Sequence, residues 1–278
     1  MFASLRFQTL LSPLKQTFDL AHAFVSLRRS SLLLQSQRKP KRISFCNKSS
    51  GQIHSAGPKF YGVSPSSPEE VSPLLGLEDA LMDYISGKKK ATEVAHSMWR
   101  HIVQKGDTVV DATCGNGHDT LEMVKLVADE SGRGCVYGMD IQNIALENTS
   151  LLLDALLNPN ERKLVKLFHT CHSRMEDIVP NGTSVRLVAF NLGYLPGGDK
   201  ALVTLSETTL QALEVASRIL APGGLISIIA YVGHPGGRKE FETVQAFASG
   251  LPVDDWVCTK FEMINRQMAP VLVILFRK

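Results

Sequence analysis

From Thr108 to the C-terminus, short apolar runs rich in β-branched residues alternate with stretches of helical periodicity. The predicted strands are residues 108–112, 136–140, 164–168, 185–191 and 225–231, with helical segments at 119–128, 143–157 and 205–220. Strands that alternate with helices of this length form a mostly parallel sheet covered on both faces. Two late segments, 256–264 and 269–276, follow the last crossover and are expected to add an antiparallel edge. We therefore predict an α/β, Rossmann-like fold with seven strands and an antiparallel C-terminal edge strand.

Two helices are predicted before the first strand. Val94, Ala95, Met98 and Ile102 recur at helical spacing, so an amphipathic helix should cover residues 91–103. Leu77, Leu81 and Ile85 indicate a shorter helix that precedes it.

The N-terminal segment differs from the rest of the chain in charge. Residues 1–68 carry ten Lys or Arg and one acid, whereas residues 69–278 carry 20 basic and 26 acidic residues. The first fifty residues also contain nine Ser, a composition typical of an organelle transit peptide. We expect 1–50 to be a disordered transit peptide, 51–73 a linker rich in Gly, Pro and Ser, and 74–278 the folded domain. A basic tail that stays in place and binds RNA is the alternative for residues 1–50.

The composition argues against several classes of protein. The sequence lacks an apolar run of the roughly 18 residues that a spanning helix needs, so we expect a soluble protein with no membrane partner. Five scattered cysteines without a Cys-x-x-Cys pair indicate neither a disulfide framework nor a zinc site. His169 and His172 lack further ligands at suitable spacing, so no metal is predicted.

The loop after the first strand resembles a nucleotide-binding turn. Gly115 and Gly117 allow a tight turn and a close approach to a ligand, although an ordinary strand-to-helix turn would look similar. A dinucleotide fingerprint needs a small third residue where Thr120 stands. Asp111 would repel phosphate but would suit a cationic ligand group. S-adenosylmethionine carries an ammonium and a sulfonium and has no phosphate.

Three further residues suit an adenosyl group. Asp140 ends the second strand, 23 residues after Gly117, where a carboxylate accepts hydrogen bonds from ribose hydroxyls. Gln142 is placed to contact the adenosine. His172 follows the third strand and is either a wall of the adenine pocket or a plain loop histidine.

The fourth strand ends in an Asn-x-x-Tyr pattern, Asn191 to Tyr194. This pattern resembles the Asn-Pro-Pro-Tyr motif of amino-group methyltransferases, in which a carbonyl acceptor orients an amine while a ring packs against the base. Gly193 lets a substrate approach the backbone. Core packing is the alternative for Tyr194.

A second glycine-rich loop follows the fifth strand and contains Tyr231 and His234. His234 is a candidate proton acceptor or phosphate contact, with a solvent-facing histidine as the alternative. Four basic residues would form a patch for RNA phosphates if they converge, and scattered surface charges otherwise. They are Lys200, Arg238, Lys239 and Arg266.

Four strings together resemble a known family. They are VVDATCGNGHDT at 109–120, MDIQ at 139–142, FNLGYLPGGDK at 190–200 and GHPGG at 233–237. The sequence is similar, over about residues 91–278, to the tRNA 5-aminomethyl-2-thiouridine methyltransferases, formerly described as rRNA methylases. This resemblance implies a class I methyltransferase fold, S-adenosylmethionine (SAM) as cofactor and tRNA as substrate, modified at the wobble position in the anticodon stem-loop.

The resemblance also supports two sets of site residues. Around the donor it supports Asp111, Gly115, Asn116, Gly117, Asp140, Gln142, His172 and Asn191, and we also expect Thr113, Asp119 and Gly193 to bind the cofactor. The residues expected at the transfer site are Asn191, Tyr194, Asp199, Tyr231 and His234. The sequence departs from the family pattern at Cys114 and in the segment 265–270.

Several readings stay open at this point. The enzyme alternatives are an rRNA or adenine-type base-amine methyltransferase and, with less support, a dehydrogenase. The non-enzymatic alternative is a SAM-binding RNA chaperone. We expect a chloroplast location, with the mitochondrion as the alternative, and we allow for a homodimer.

Overall fold

A computed structural model of the chain describes residues 76–278. The predicted transit peptide and linker, and the boundary at residue 74, lie outside the described residues. The described part contains seven strands and a set of helices around them. In chain order these are α1 (Leu77–Ile85), α2 (Ala91–Ile102), β1 (Thr108–Asp111), α3 (His118–Val127), β2 (Cys135–Asp140), α4 (Asn143–Leu156), α5 (Pro159–Arg162), β3 (Val165–His169), a 3₁₀ turn (His172–Arg174), α6 (Met175–Ile178), β4 (Val185–Leu192), α7 (Ser206–Ile219), β5 (Leu220–Ala230), α8 (Gly237–Gly250), β6 (Trp256–Phe261) and β7 (Val271–Arg277).

The seven strands form one sheet in the order β3-β2-β1-β4-β5-β7-β6. Strands β1 to β5 are parallel, and β7 is antiparallel to both of its neighbours, β5 and β6. The direction of chain crossover reverses between β1 and β4, where an open α/β sheet characteristically binds its ligand.

Both faces of the sheet are buried against helices. One apolar cluster joins the sheet to α7 and α8 and includes Leu213, Phe241 and Trp256. The other joins it to α2 and α3 and includes Trp99 and Met123. The nearly continuous apolar runs of β1, β2 and β4 follow from this double coverage, since neither face meets solvent.

The predicted α/β class, seven strands and mostly parallel order are confirmed. Of the two antiparallel strands, β7 lies inside the sheet between β5 and β6, and β6 forms the edge of the sheet. Residues 271–275 of β7 are accordingly all buried, whereas residues 257–260 of β6 are exposed. The pairing of β5 starts at Leu220, five residues earlier than predicted.

Helix α8 was missed by the sequence analysis, which treated this region as a glycine-rich loop. The helix starts directly after Gly236, whose φ of +87° is a left-handed value suited to glycine. Glycines at the start of a helix resemble loop sequence, because glycine is typical of the turn before the helix and carries no signal for the helix that follows.

Within residues 76–278, no helix has the length and apolar character needed to cross a bilayer. The same part of the chain holds no group of three or more His, Cys, Asp or Glu side chains arranged to bind a metal ion.

Candidate functional site

A cavity of about 890 Å³ opens at the carboxyl ends of the parallel strands. Its size falls in the range of cofactor and small-ligand sites. The loops after β1 to β5 contribute to its wall, together with α2 and the β6–β7 connection. The sequence-predicted residues that line it are Thr113, Gly115, Asn116, Asp119, Asp140, Gln142, His172, Asn191, Gly193, Tyr194, Tyr231 and His234.

The β1–α3 loop is shaped by its two glycines. Gly115, with a φ of +52°, donates its backbone N–H to Asp140 Oδ2 over 3.0 Å, which ties the ends of β1 and β2 together. Gly117 has a φ of +83°, and a Cβ on it would lie 2.9 Å from Thr149 Cα. Gly117 therefore allows α4 to pack against the loop and does not itself reach the cavity.

Asp111 lies behind the loop and outside the cavity wall. Its side chain is buried, and it accepts hydrogen bonds from the Thr120 hydroxyl at 2.6 Å and the Thr113 amide at 3.3 Å. The expected direct contact with a ligand is not seen, because both carboxylate oxygens already bind the loop and the first turn of α3.

Three carboxylates concentrate negative charge around this loop. Burial and repulsion from Asp119 raise the pKa of Asp111, with a smaller contribution from Asp140. Burial likewise raises the pKa of Asp140, although three backbone amides oppose the shift. This field disfavours a pyrophosphate group and suits a cationic ligand. The residues therefore fit SAM better than a dinucleotide.

The adenosyl side of the cavity is formed by Asp140, Gln142 and His172. Asp140 Oδ1 accepts the Gln142 amide at 2.9 Å and Oδ2 accepts the Gly115 amide, so the carboxylate is held by the backbone with acceptor capacity left for a ligand. His172 is 5% exposed and packs edge-on to Phe190, with ring centres 5.9 Å apart. Burial lowers the pKa of His172 to about 4, so the ring is neutral at physiological pH.

Asn191 lines the opposite side of the cavity. Its Nδ2 donates to Asp119 Oδ2 over 2.5 Å, and its backbone N–H donates to the Thr113 hydroxyl over 2.7 Å. Its Oδ1 is buried and has no hydrogen-bond donor among the described residues. An unpaired buried acceptor costs free energy, and because Asn191 lines the cavity, a hydrogen-bond donor on a ligand can satisfy it.

His234 supplies a second unpaired atom. Its Nδ1 lies 3.0 Å from the Pro235 carbonyl, which only accepts, so Nδ1 carries the proton and Nε2 bears the free lone pair. Nε2 is buried without a partner in the described part of the chain. The ring packs edge-on to Tyr194 at 6.0 Å.

Tyr231 also lines the cavity, where its phenol hydroxyl stays protonated and does not act as a base. Burial and the nearby Asp119 carboxylate raise its pKa, which keeps the hydroxyl protonated at neutral pH. Tyr231 can donate a hydrogen bond, whereas His234 can accept a proton.

The segment between Gly193 and Thr204 is braced from below by Glu240. Thr204 Oγ1 accepts the Gly193 amide at 2.8 Å and donates to Glu240 Oε2 at 2.8 Å, while Thr209 donates to Oε1. Glu240 is 2% exposed, and burial raises its pKa. Sequence analysis missed this role because Glu240 lies in α8, which was not predicted.

The structure does not bring Asp199 to the cavity. Its side chain is exposed, and Oδ1 accepts the Ala201 amide at 2.9 Å, which stabilises a turn. The short side chain of an Asp bonds readily to the backbone two residues on, and that local bond directs it here.

The four predicted RNA-binding residues lie outside the cavity wall. Arg238 donates to the Gln267 carbonyl at 3.2 Å, which places it beside the Arg266 segment. Lys239 pairs with Glu207 at 3.0 Å. Lys200 lies with its ammonium 5.8 Å from the centre of the Tyr194 ring.

Residues that sequence analysis did not select also line the cavity. Thr92 and His96 come from α2, and Met268 and Pro270 come from the segment that departs from the family pattern. The amphipathic pattern of α2 gave no signal for His96, because its partner Asp119 lies 23 residues further along the chain.

The strand order and the cavity beside the β1–β4 crossover define a class I methyltransferase fold. A family model described as "Putative rRNA methylase" matches residues 136–277. Over 209 residues the chain is 60% identical to a chloroplastic tRNA (mnm5s2U34)-methyltransferase from Arabidopsis thaliana, covering 74% of this chain and 76% of that protein.

Solved structures give the same result. A "putative rRNA-methylase" from Clostridium thermocellum shares 37% identity with a TM-score of 0.64, covering 68% of this chain and 98% of its own. A "putative methyltransferase" from Streptococcus mutans, solved with SAH, shares 29% identity with a TM-score of 0.60, covering 68% and 99%. The chain belongs to this rRNA methylase family. The predicted membership in a family of SAM-dependent methyltransferases is confirmed.

Proposed function

We propose that this chain transfers a methyl group from SAM to the amine of 5-aminomethyl(-2-thio)uridine at the wobble position of tRNA, in the chloroplast. The observation that carries the proposal is that Asn191, which lines the cavity, has its Nδ2 held by Asp119 and its Oδ1 left without a partner in the described chain. The 60% identity to a tRNA (mnm5s2U34)-methyltransferase supports tRNA as the substrate.

The donor fits the half of the cavity formed by the loops after β1 to β3. When SAM is bound, Asp140 would accept the ribose hydroxyls, Gln142 and His172 would contact the adenine, and the 113–116 loop would hold the amino-acid portion. The Asp119 carboxylate would stabilise its cationic groups through its field, and Asp111 would contribute less because burial raises its pKa and it lies outside the cavity wall. When bound, SAM supplies a methyl group on a sulfonium that leaves as a neutral thioether.

The acceptor fits the half formed by the loops after β4 and β5. Asn191 Oδ1 accepts one N–H of the amine, and this bond points the nitrogen lone pair towards the methyl carbon. Tyr194 is 40% exposed and offers its ring to the uracil. The new N–C bond forms as the C–S bond breaks, so alignment supplies much of the acceleration.

Proton removal is assigned to His234. Alkyl amines titrate at a pH of about 8 to 10 and arrive mostly as ammonium ions, which cannot attack. A neighbouring sulfonium and partial desolvation lower the pKa of the amine, whereas the Asp119 carboxylate opposes this shift, so a proton acceptor is needed. His234 Nε2 is the unpaired base of this half of the site, and Asp199 and Tyr231 are less suitable because one lies outside it and the other stays protonated.

The tRNA contact is the anticodon stem-loop, with the wobble base turned out of its stack into the cavity. Lys200, beside Tyr194, is the basic residue best placed to meet the flanking phosphates. Arg238 and Lys239 contribute less, because they pair with Glu262 and Glu207. The Arg266 guanidinium lies against Gly87, in the turn between α1 and α2.

Mass spectrometry of nucleosides tests the proposal. The purified chain is incubated with SAM and with tRNA that carries 5-aminomethyl-2-thiouridine, and in parallel with ribosomal RNA. We expect one added methyl group on the wobble nucleoside alone. Methylation of a base amine in ribosomal RNA, or SAM binding without any transfer, would replace the proposal with one of the other two readings.

The location and assembly are separate parts of the proposal. The acid-poor segment 1–50 and the chloroplastic relative support import into the chloroplast. A fusion of the full chain to a fluorescent protein should label chloroplasts in leaf cells, and label on mitochondria would contradict this. Association into a homodimer stays a prediction, which light scattering in solution checks.

A further inference from the structure

A chain of hydrogen bonds connects α2 to the candidate transfer residue. His96 Nε2 lies 2.7 Å from Asp119 Oδ1, and Asp119 Oδ2 accepts Asn191 Nδ2. His96 packs on Trp99 with ring centres 4.6 Å apart, and Trp99 is 1% exposed. The side chains of His96 and Asp119 are 20% and 12% exposed. His96 and Asp119 precede the residues that the family model matches.

The carboxylate in the middle decides how the Asn191 amide is turned. An asparagine side chain has a donor end and an acceptor end of nearly the same shape, so a half-turn exchanges them. An ionised carboxylate only accepts hydrogen bonds, so Asp119 holds the Nδ2 end. With Nδ2 held, Oδ1 is the end left unpaired.

The histidine in turn orients the carboxylate. Because Asp119 Oδ1 accepts, the His96 atom that faces it is the protonated Nε2. Packing against buried Trp99 restricts the rotation of the His96 ring, and the bond from Nε2 restricts that of Asp119. A charge-assisted bond to a restricted partner is among the stronger hydrogen bonds in proteins.

We infer that His96 and Asp119 are positioning residues that turn the Asn191 amide so that its carbonyl oxygen meets the incoming amine. The inference rests on the proposed function and deepens it. By fixing which end of the Asn191 amide faces the substrate, His96 and Asp119 select a substrate that donates an N–H. Without Asp119, the amide samples the reversed orientation, in which its NH₂ group opposes the N–H of the substrate.

The chain offers a matched control on the same two helices. Arg100 Nη2 lies 2.8 Å from Glu122 Oε1, so an ion pair also joins α2 to α3 about one turn beyond His96 and Asp119. Glu122 lies outside the cavity wall. A purely structural role, pinning α2 to α3, would be shared by both pairs.

A first experiment needs no substrate. In ¹⁵N-labelled full-length protein, the side-chain amide signal of Asn191 is assigned by its loss in Asn191→Ala. We expect Asp119→Ala and His96→Ala to move this signal and Glu122→Ala to leave it in place. A signal unmoved by Asp119→Ala, or moved equally by Glu122→Ala, would overturn the inference.

A second experiment measures turnover on the modified tRNA and SAM binding by calorimetry. Asp119→Ala should lower kcat at saturating SAM about 100-fold and His96→Ala about tenfold. SAM affinity should change less than about threefold in His96→Ala, whereas Asp119→Ala also weakens SAM binding because it removes a carboxylate from the cavity wall. His96→Gln, which keeps a donor, should recover part of the loss. Glu122→Ala should keep the wild-type kcat.

A double variant separates orientation from other effects. If Asp119 acts through Asn191, Asp119→Ala lowers kcat less than about threefold further once Asn191 is already Ala. Additive losses would overturn the inference. If the wild-type chain methylates no tRNA, the proposed function fails, and with it the role towards the amine; the amide spectrum then tests only whether Asp119 and His96 orient Asn191.

Discussion

The backbone N–H of Asn191, near the end of β4, donates to the hydroxyl of Thr113, in the loop after β1, over 2.7 Å. β1 and β4 are adjacent parallel strands that belong to opposite halves of the sheet. This bond therefore joins the loop that faces the proposed methyl donor to the residue that faces the proposed methyl acceptor. Changes on either side should alter one kind of binding while leaving the fold in place.

On the donor side, Asp140→Ala should weaken SAM binding. The change removes the acceptor for the ribose hydroxyls and for the Gly115 amide. Hydrogen bonds to charged groups contribute about 1.5–3 kcal/mol, so the Kd for SAM should rise about 10- to 100-fold. Calorimetric titration measures it. Asp154→Ala on α4, which removes an exposed pair with Arg162, is the control. Unchanged SAM affinity in Asp140→Ala would argue against the donor site.

The buried His172 should make stability depend on pH. Burial lowers its pKa to about 4, whereas an unfolded histidine titrates near about 6.5. Between these values the unfolded chain binds a proton that the folded chain does not, so stability falls as the pH decreases. Relative to His172→Gln, the wild-type chain should lose at most about 3 kcal/mol from pH 7 to 4.

Denaturant unfolding at several pH values measures this difference. The buried carboxylates titrate in both proteins, so their contribution cancels in the comparison. Parallel stability curves for the wild type and His172→Gln would show that His172 is protonated as easily in the folded chain as in the unfolded one.

Glu240→Ala should destabilise the fold through the segment above it. The change leaves the Thr204 and Thr209 hydroxyls without their acceptor in a buried site. We expect the free energy of unfolding to fall by about 2–4 kcal/mol, measured by denaturant titration. Glu242→Ala, an exposed neighbour on α8, should change it by less than about 0.5 kcal/mol. Equal effects of the two variants would refute the bracing role.

At the rim, Lys200→Ala should reduce the salt dependence of tRNA binding. Each phosphate contact releases counterions, so losing one should lower the slope of log affinity against log salt by about 1. Lys163→Ala is the control, because Lys163 is exposed beside the amino end of β3, away from the cavity. Fluorescence anisotropy across a salt series measures both. Equal slopes in the two variants would place the tRNA elsewhere.

Much of the fold and site could be predicted because they depend on local patterns. The alternation of apolar strands and helices specified a parallel sheet, and residues that follow parallel strands collect at one rim. Asp140 and Asn191 were found for this reason, since each stands where a strand ends.

The contacts that orient those residues depend on tertiary packing and gave no local signal. His96 reaches Asp119 across 23 residues, and Glu240 reaches Thr204 across 36. Asp111 ends β1 and Asp199 lies in the loop after β4, but neither lines the cavity, because nearby hydroxyl or amide donors hold their carboxylates. Strand β7 lies inside the sheet because it also pairs with β6, and the apolar run of β7 does not specify that pairing.

The central claim is that the rim cavity methylates an alkyl amine on the wobble uridine. Nucleoside mass spectrometry of organellar tRNA, prepared with and without the protein, tests it most directly. We predict that loss of the protein leaves 5-aminomethyl-2-thiouridine in place of its N-methylated form, and that the full chain restores the methyl group while Asn191→Ala does not. An unchanged level of the methylated nucleoside without the protein would contradict the account.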